Sequence, residues 1–443
     1  MATTPTFATF DVGSKNWNSL QRLKGGLALL LIADALFLVA LLMGQTTHRS
    51  LLQTIGRNSA PSIIAAQHIK VAIADMDAEA ANEMLAKPGE GMAAAKAFQA
   101  RREEAGGALI EAAKNITYDG EWPPIKSLQT VLGDYEARIQ RARDLHEGDD
   151  PQFIKAYRDA SGLVEVSLFR AADELDRVNL KALDDAFESD RSTATHTREL
   201  ISASGLILLG LLVYLQWDLT KRVRRLINPA LLAASILTLA LIVFANNHLS
   251  GADKDLYVAR HDAFISLHAL WQARAVAYSA NADESKFLLG DDNSNDETSF
   301  FEKSKRIMGS AVDSSGIPEG GFLGEEERNI TFAGEKEAAD ATVATWRNYL
   351  KIDAKLRQLK RDNRRDAAIA LCIGKNPGES DWAFSSFDDA LNRTIDINQN
   401  AFDSAVAFGF QHLDQFDLTV VVGVSLISIC CSLGLFIRIR EYL

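Results

Sequence analysis

Residues 25–44 read GGLALLLIADALFLVALLMG, a run in which Asp34 is the single ionisable side chain. As a helix rising about 1.5 Å per residue, such a run covers the roughly 30 Å of a bilayer's hydrocarbon core. Three more runs of this kind follow, from Leu200 to Trp217, Pro229 to Ala245 and Leu418 to Ile437. The chain of 443 residues is 47% hydrophobic and 24% charged, averages that conceal this segregation. The first run has no small-residue cleavage site and passes into a helical pattern, so it reads as an uncleaved anchor and not as a signal peptide. An all-α membrane protein with four transmembrane helices and large water-exposed parts is expected.

Basic residues orient these spans, because cytoplasmic loops are enriched in Lys and Arg. Lys15, Arg22 and Lys24 precede span one, Lys221, Arg222, Arg224 and Arg225 link spans two and three, and Arg438 and Arg440 follow span four. All of them fall on one side if both termini are cytoplasmic. The expected map is a tail (1–24), span (25–44), extracytoplasmic bundle (45–199), span (200–217), basic hairpin (218–228), span (229–245), second bundle (246–417), span (418–437) and tail (438–443). Cysteine usage and Ala-rich helices fit a bacterial inner membrane.

The net charge is -12, and the three basic segments carry +6, which leaves -18 for the rest of the chain. An acidic outer surface favours cationic or basic partners and speaks against nucleic acid, which needs clustered Lys and Arg. The three cysteines, Cys372, Cys430 and Cys431, form neither a disulfide framework nor a metal site.

Apolar residues in the outer segments recur at three and four. Ile125, Leu128, Leu132, Tyr135, Ile139 and Ala142 make one such stripe, and Tyr157, Ala160, Val164, Leu168, Ala171 and Leu175 another. Stripes of this width line antiparallel helical bundles. Breakers divide segment one into helices near 46–86, with an irregularity at Pro61, 91–117, 124–147 and 151–199. Segment two breaks near 290–295, 316–324 and 374–378.

A repeat underlies this similarity. Asn115-Ile116-Thr117-Tyr118-Asp119-Gly120-Glu121 recurs 214 positions later as Asn329-Ile330-Thr331-Phe332-Ala333-Gly334-Glu335, and Ala186-Phe187-Glu188-Ser189 recurs 215 later as Ala401-Phe402-Asp403-Ser404. Two matches in order at nearly one offset indicate internal duplication. The expected architecture is two copies of span, antiparallel four-helix bundle and span, with the outer helices of each bundle continuous with the membrane helices.

Four groups of residues are candidates for function. Asp34, in mid-span, is either packing glue with Ser235, Thr238 or Ser428, or a proton-linked or signalling group. In the repeated turn, Asn115, Thr117, Tyr118 and Gly120, with Asn329, Thr331, Phe332 and Gly334, suit a helix cap in which Asn and Gly tolerate the left-handed region; a partner-docking loop is the alternative. Lys221, Arg222, Arg224 and Arg225 suffice for topology and anionic lipid, and also offer a cytoplasmic contact face. Asp291, Asn293, Asn295 and Glu302 have calcium-loop spacing, but the required glycine is replaced by Asp296, so a solvated acidic loop is favoured. No nucleophile triad, phosphate loop or metal cluster stands out, and a non-enzymatic protein without cofactor is expected.

In its duplicated bundles and flanking spans the chain resembles the extracytoplasmic four-helix-bundle sensors of chemoreceptors. It is also similar to four-span bacterial membrane proteins that relay signals from an extracytoplasmic amino-acid-binding lipoprotein to a soluble Ser/Thr kinase. The resemblance implies a transducer with a binding protein outside, a kinase or other effector inside, and no output domain of its own. A structural or assembly subunit of a larger membrane complex is the alternative, transport is a weaker one, and a homo-oligomer stays open.

Overall fold

In a computed structural model of the chain, residues 19–223, 228–290, 294–310 and 318–440 are described, and among them every regular element is helical. The order is α1 (Ser19–Gln53), a π-helical turn π1 (Thr54–Ser59), α2 (Ala60–Leu85), α3 (Met92–Lys114), α4 (Trp122–Glu147), α5 (Phe153–Leu163), π2 (Val164–Leu168) and α6 (Phe169–Val223). The second half follows with α7 (Pro229–Tyr257), π3 (Val258–Phe264), α8 (Ile265–Leu289), α9 (Ser294–Met308), α10 (Gly321–Arg328), α11 (Glu335–Arg361), α12 (Arg365–Cys372), α13 (Ser380–Leu413) and α14 (Phe416–Arg440).

Two compact units result. The first comprises Met1–His48, Ser192–Gly251 and His412–Leu443. It holds the apolar runs, and four of its helices are long and apolar enough to cross a membrane. Their burial is compatible with a membrane protein. Leu30, Phe37 and Leu41 on α1, Leu208 and Leu212 on α6, Leu231 and Ala234 on α7, and Ile427 and Cys431 on α14 turn inward, while Ile32, Leu36, Ile207, Ile236 and Phe436 are exposed. Small residues let these helices approach closely. A Cβ on Gly205 would lie 2.6 Å from Ile242 and 2.9 Å from Phe37.

The second unit comprises Arg49–Arg191 and Ala252–Gln411, so both long polar segments fall in one compact body. Its centre is the pair α2 and α8, which pack along each other. Both are rich in alanine and are buried around most of their circumference, as befits helices with neighbours on every side. Each lies against the helices of its own half. One core gathers Ile69, Ile73 and Met76 of α2 with Leu128, Tyr135 and Leu168. The other gathers Leu267 and Leu270 of α8 with Trp346, Tyr349 and Phe387. The first core also takes in Phe287, Leu288 and Leu356 from the second half.

The breaks of segment one agree with those read from the sequence. Pro61 is the second residue of α2, just after π1, and its missing N–H removes one bond of the α-helical ladder there. Segment two has two breaks beyond those its composition suggests, one at the repeated turn between α10 and α11 and one at Asn363, whose φ is 59°, between α11 and the short α12. Continuity with the apolar runs also needs correction at one place. Three long helices pass from polar to apolar sequence without interruption, but α13 ends at Leu413 and α14 starts at Phe416 after Gln415 with φ 59°.

Candidate ligand cavity and repeated turns

The repeated turn works in the same way in both halves. Glu121 Oε2 accepts the backbone N–H groups of Thr117 at 2.6 Å and Tyr118 at 2.7 Å; Glu335 Oε2 accepts those of Thr331 at 2.6 Å and Phe332 at 2.8 Å. Both glutamates are buried. They satisfy donors that the turn would otherwise strand. Gly120 and Gly334 take φ of 105° and 82°, as a turn without a Cβ permits.

The asparagines act differently from the expected left-handed cap. Asn115 and Asn329 have φ of -98° and -112°, and it is their side chains that matter. Asn115 Nδ2 donates to the Asn58 carbonyl at 3.2 Å and to Ser62 Oγ at 2.7 Å. Asn329 Nδ2 donates to the carbonyls of His261 and Asp262 and to Ser266 Oγ, each at 3.0 Å. The carbonyls lie in π1 and π3, where the wider turn leaves an oxygen without its α-helical partner. The turn therefore ties the end of one helix to the π-helical turn of another. Tyr118 adds a hydroxyl contact to Ser59 at 2.8 Å. Where the second half has Phe332, the position corresponding to Ser59 is Ala263.

Asp34 is buried on α1 and accepts a hydrogen bond from Ser428 on α14. Of the other suggested partners, Thr238 and Ser235 bond their own helix at Ala234 and Leu231. Lys221 places its Nζ 3.5 Å from the centre of the Trp217 ring. The side chain of Arg222, together with Arg224 and Arg225, lies outside the described residues, as do Asp291 and Asn293. Asn295 and Glu302 lie on α9, where Glu302 pairs with Lys305 at 2.7 Å. Of that stretch, residues 294–302 are helical.

A cavity that none of these positions lines opens in the polar unit. That cavity, of about 430 Å³, opens between α2, α3 and α8, so both halves build it. Ala65, Val71, Ala72 and Ala108 form its apolar wall. His68 leans on Trp271 with ring centres 4.0 Å apart, and Tyr278 stands one to two turns further along α8. The charged wall is Asp75 with Arg101 at 2.6 Å, and Arg101 with Glu104 at 2.6 Å. Arg274 also lines it, held from behind by Asp388 at 2.8 Å and Asn392 at 2.7 Å.

Electrostatically this wall is short of positive charge. Burial, reinforced by Asp388 and Glu104, raises the Asp75 carboxyl to about 7 despite Arg101. Burial with Asp75 and Asp381 nearby raises Glu79, one turn on, to about 8. Burial and the Arg274 charge hold His68 down at about 4, so its imidazole is neutral. The buried Trp271 Nε1–H and Arg274 Nε–H have no acceptor among the described residues.

The corresponding place in the other half is not a copy. Lys70 pairs with Asp173 at 2.5 Å as Arg274 does with Asp388, in a cavity of about 220 Å³ walled also by Lys303 and Glu165. One site leans acidic and aromatic, the other basic. Hydrophobic periodicity placed α2 and α8 as helices but gave no sign of the cavity, whose residues are scattered over three helices. The glutamates of the turn were in the repeat itself, as its last member.

Residues 51–188 match the model of a family described as the actinobacterial sensor domain. This supports a sensor role. No curated protein and no solved structure matches the chain.

Proposed function

We propose that the chain is a duplicated bacterial membrane sensor. The polar unit engages a small ligand or a binding protein outside the cytoplasmic membrane, and the four apolar helices report this to an effector, such as a kinase, at the cytoplasmic face. The observation that carries the reading is the cavity walled by α2 and α3 of one half and α8 of the other. A ligand there touches both halves, and α2 and α8 lie on helices that run on into the first and third apolar runs. A small shift of one helix against the other is a two-state element of the kind that signalling needs.

Several observations support the duplicated arrangement behind this reading. The ion pairs Lys70–Asp173 and Arg274–Asp388, the turn glutamates Glu121 and Glu335, and the turn asparagines recur at related positions. Two fused halves then form the pair that single-copy sensors would make from two chains. The sensor family matched by residues 51–188 points the same way. Both termini and the basic hairpin would face the cytoplasm, where Lys221 and its neighbours meet anionic lipid or the effector.

The test has two parts. Gln45 Nε2 donates to Asp417 Oδ2 at 3.2 Å between α1 and α14; with Gln45→Cys and Asp417→Cys, the rate of disulfide formation in native membranes reads their separation. A sensor changes this rate when the soluble extracytoplasmic fraction is added. Quantitative mass spectrometry after mild solubilisation gives the second part. Conditional, sub-stoichiometric recovery of a partner supports the sensor, whereas a fixed ratio to a large complex with an unchanging cross-link makes the chain a structural subunit.

A further inference from the structure

The cavity between α2, α3 and α8 carries more than the existence of a ligand. Its two arginines are paired, Arg101 with Asp75 and Glu104, and Arg274 with Asp388 and Asn392, with only the Arg274 Nε–H left without an acceptor among the described residues. The carboxylates thus have no further cation, and a positive group entering the cavity is attracted by Asp75 and Glu104 together. Trp271 is 9% exposed, and its buried indole N–H has no acceptor among the described residues. An unmet donor beside a cavity asks for an oxygen on whatever enters. The remaining wall is aliphatic and aromatic, from Ala65, Val71, Ala72 and Tyr278.

Resting on the sensor reading, we propose that this cavity binds a small amine with an apolar body that also carries an acceptor oxygen. The ammonium faces Asp75 and Glu104, the oxygen accepts from Trp271 Nε1–H, and the apolar body lies along Val71 and Ala72. The oxygen belongs to a hydroxyl or a carboxylate, that is, to an amino alcohol or an amino acid. Against an ammonium that keeps its proton up to pH 9, the titrating partner is Asp75. It is faced by Arg101 and Glu104 from α3, Arg274 and Tyr278 from α8, Asp388 from α13, and Glu79 and His68 from its own helix. Since its carboxyl titrates near 7, affinity rises between pH 6 and pH 8.

Four probes separate the groups by calorimetry on the full chain in lipid nanodiscs: leucinol, leucine, isoamylamine, which has no oxygen, and isovalerate, which has no amine. Leucinol or leucine binds with Kd below about 1 mM, isoamylamine about tenfold more weakly, and isovalerate not at all. Which of the first two binds more tightly tells hydroxyl from carboxylate. Trp271→Phe brings isoamylamine level with the oxygen-bearing ligand. Glu104→Gln, on the exposed side of α3, weakens every amine about tenfold. Binding of isovalerate as tight as that of the amines, or no binding by any of the four, overturns the proposal. The cross-link between positions 45 and 417 separates this result from the sensor reading. If an amine binds and the cross-link is unmoved, the ligand class stands and the sensor fails; if no amine binds but the extracytoplasmic fraction moves it, the reverse holds.

Discussion

Lys286 on α8 and Asp77 on α2 form a salt bridge of 2.8 Å in which both side chains are buried. It joins the two halves of the polar unit at their central helix pair. Ser161 donates to Asp77 at 2.7 Å, with Tyr157 at 3.3 Å and Tyr135 at 3.4 Å, and Asp283 links Lys286 onward to Lys303 at 2.7 Å. In the second half the position corresponding to Asp77 is Asn281, which bonds Tyr349 at 3.3 Å. One half thus supplies a charge where the other has an amide, and Lys286 fits only the first.

Removing one partner of such a pair leaves a buried charge uncompensated. Lys286→Met is expected to cost about 3–5 kcal/mol, and Lys286→Met with Asp77→Asn distinctly less, because the amide carries no charge. Unfolding of the polar unit in denaturant, followed by tryptophan fluorescence, gives the comparison. Equal losses for the single and double variants would show that the pair is not what joins the helices.

Acidity should stabilise the polar unit over a defined range. Burial, with Asp353 beside it, raises the Glu284 carboxyl to about 8, and burial with Glu335 raises Glu326 to about 8. The folded chain keeps protons that the unfolded chain releases near 4.5, so stability falls as pH rises towards 8 and is level above it. His68, held at about 4, works in the opposite sense below its ordinary 6.5. The unopposed window is therefore pH 6.5 to 8. The melting temperature should fall across it, and Glu284→Gln should make that fall shallower. A melting temperature that rises over this window would contradict the assignment.

The turns should be more sensitive at their glutamates than at their aromatics. Glu335→Ala strands two backbone donors and is expected to cost about 1–3 kcal/mol, whereas Tyr118→Phe loses one hydroxyl contact, about 0.5–1.5 kcal/mol. If these turns serve mainly to dock a partner, Glu335→Ala would instead leave thermal stability intact and abolish partner recovery.

Asp34→Asn retains a group that can bond Ser428, while Asp34→Leu does not. The first is expected to leave the packing of α1 and α14 nearly unchanged and the second to weaken it by about 0.6–1.7 kcal/mol, read as loss of the Gln45→Cys/Asp417→Cys cross-link. A loss of signalling output in Asp34→Asn with the cross-link intact would give the carboxylate a role beyond packing.

Much of the architecture could be read residue by residue. A run such as 25–44 announces a helix apolar enough to cross a membrane because a single ionisable side chain, Asp34, interrupts it; Pro61, without an N–H to donate, marks the π-helical irregularity in a continuous helix, and Gly120 and Pro124 mark the break between α3 and α4. The repeat located the two turns. What it did not reveal was their working part: Glu121 and Glu335 look like ordinary surface acids until their carboxylates are seen under the backbone N–H groups.

By itself the sequence determined helix type, the four apolar segments and the repeated turn, since these depend on local periodicity, hydrophobic transfer and backbone restriction. Only tertiary structure decided that α2 and α8 lie together, that Lys286 finds Asp77 some two hundred residues away, and that Trp271, His68 and Asp75 share one cavity. Those relations depend on which faces of separate helices meet. A stripe of alanines, able to pack closely against many surfaces, does not name its partner.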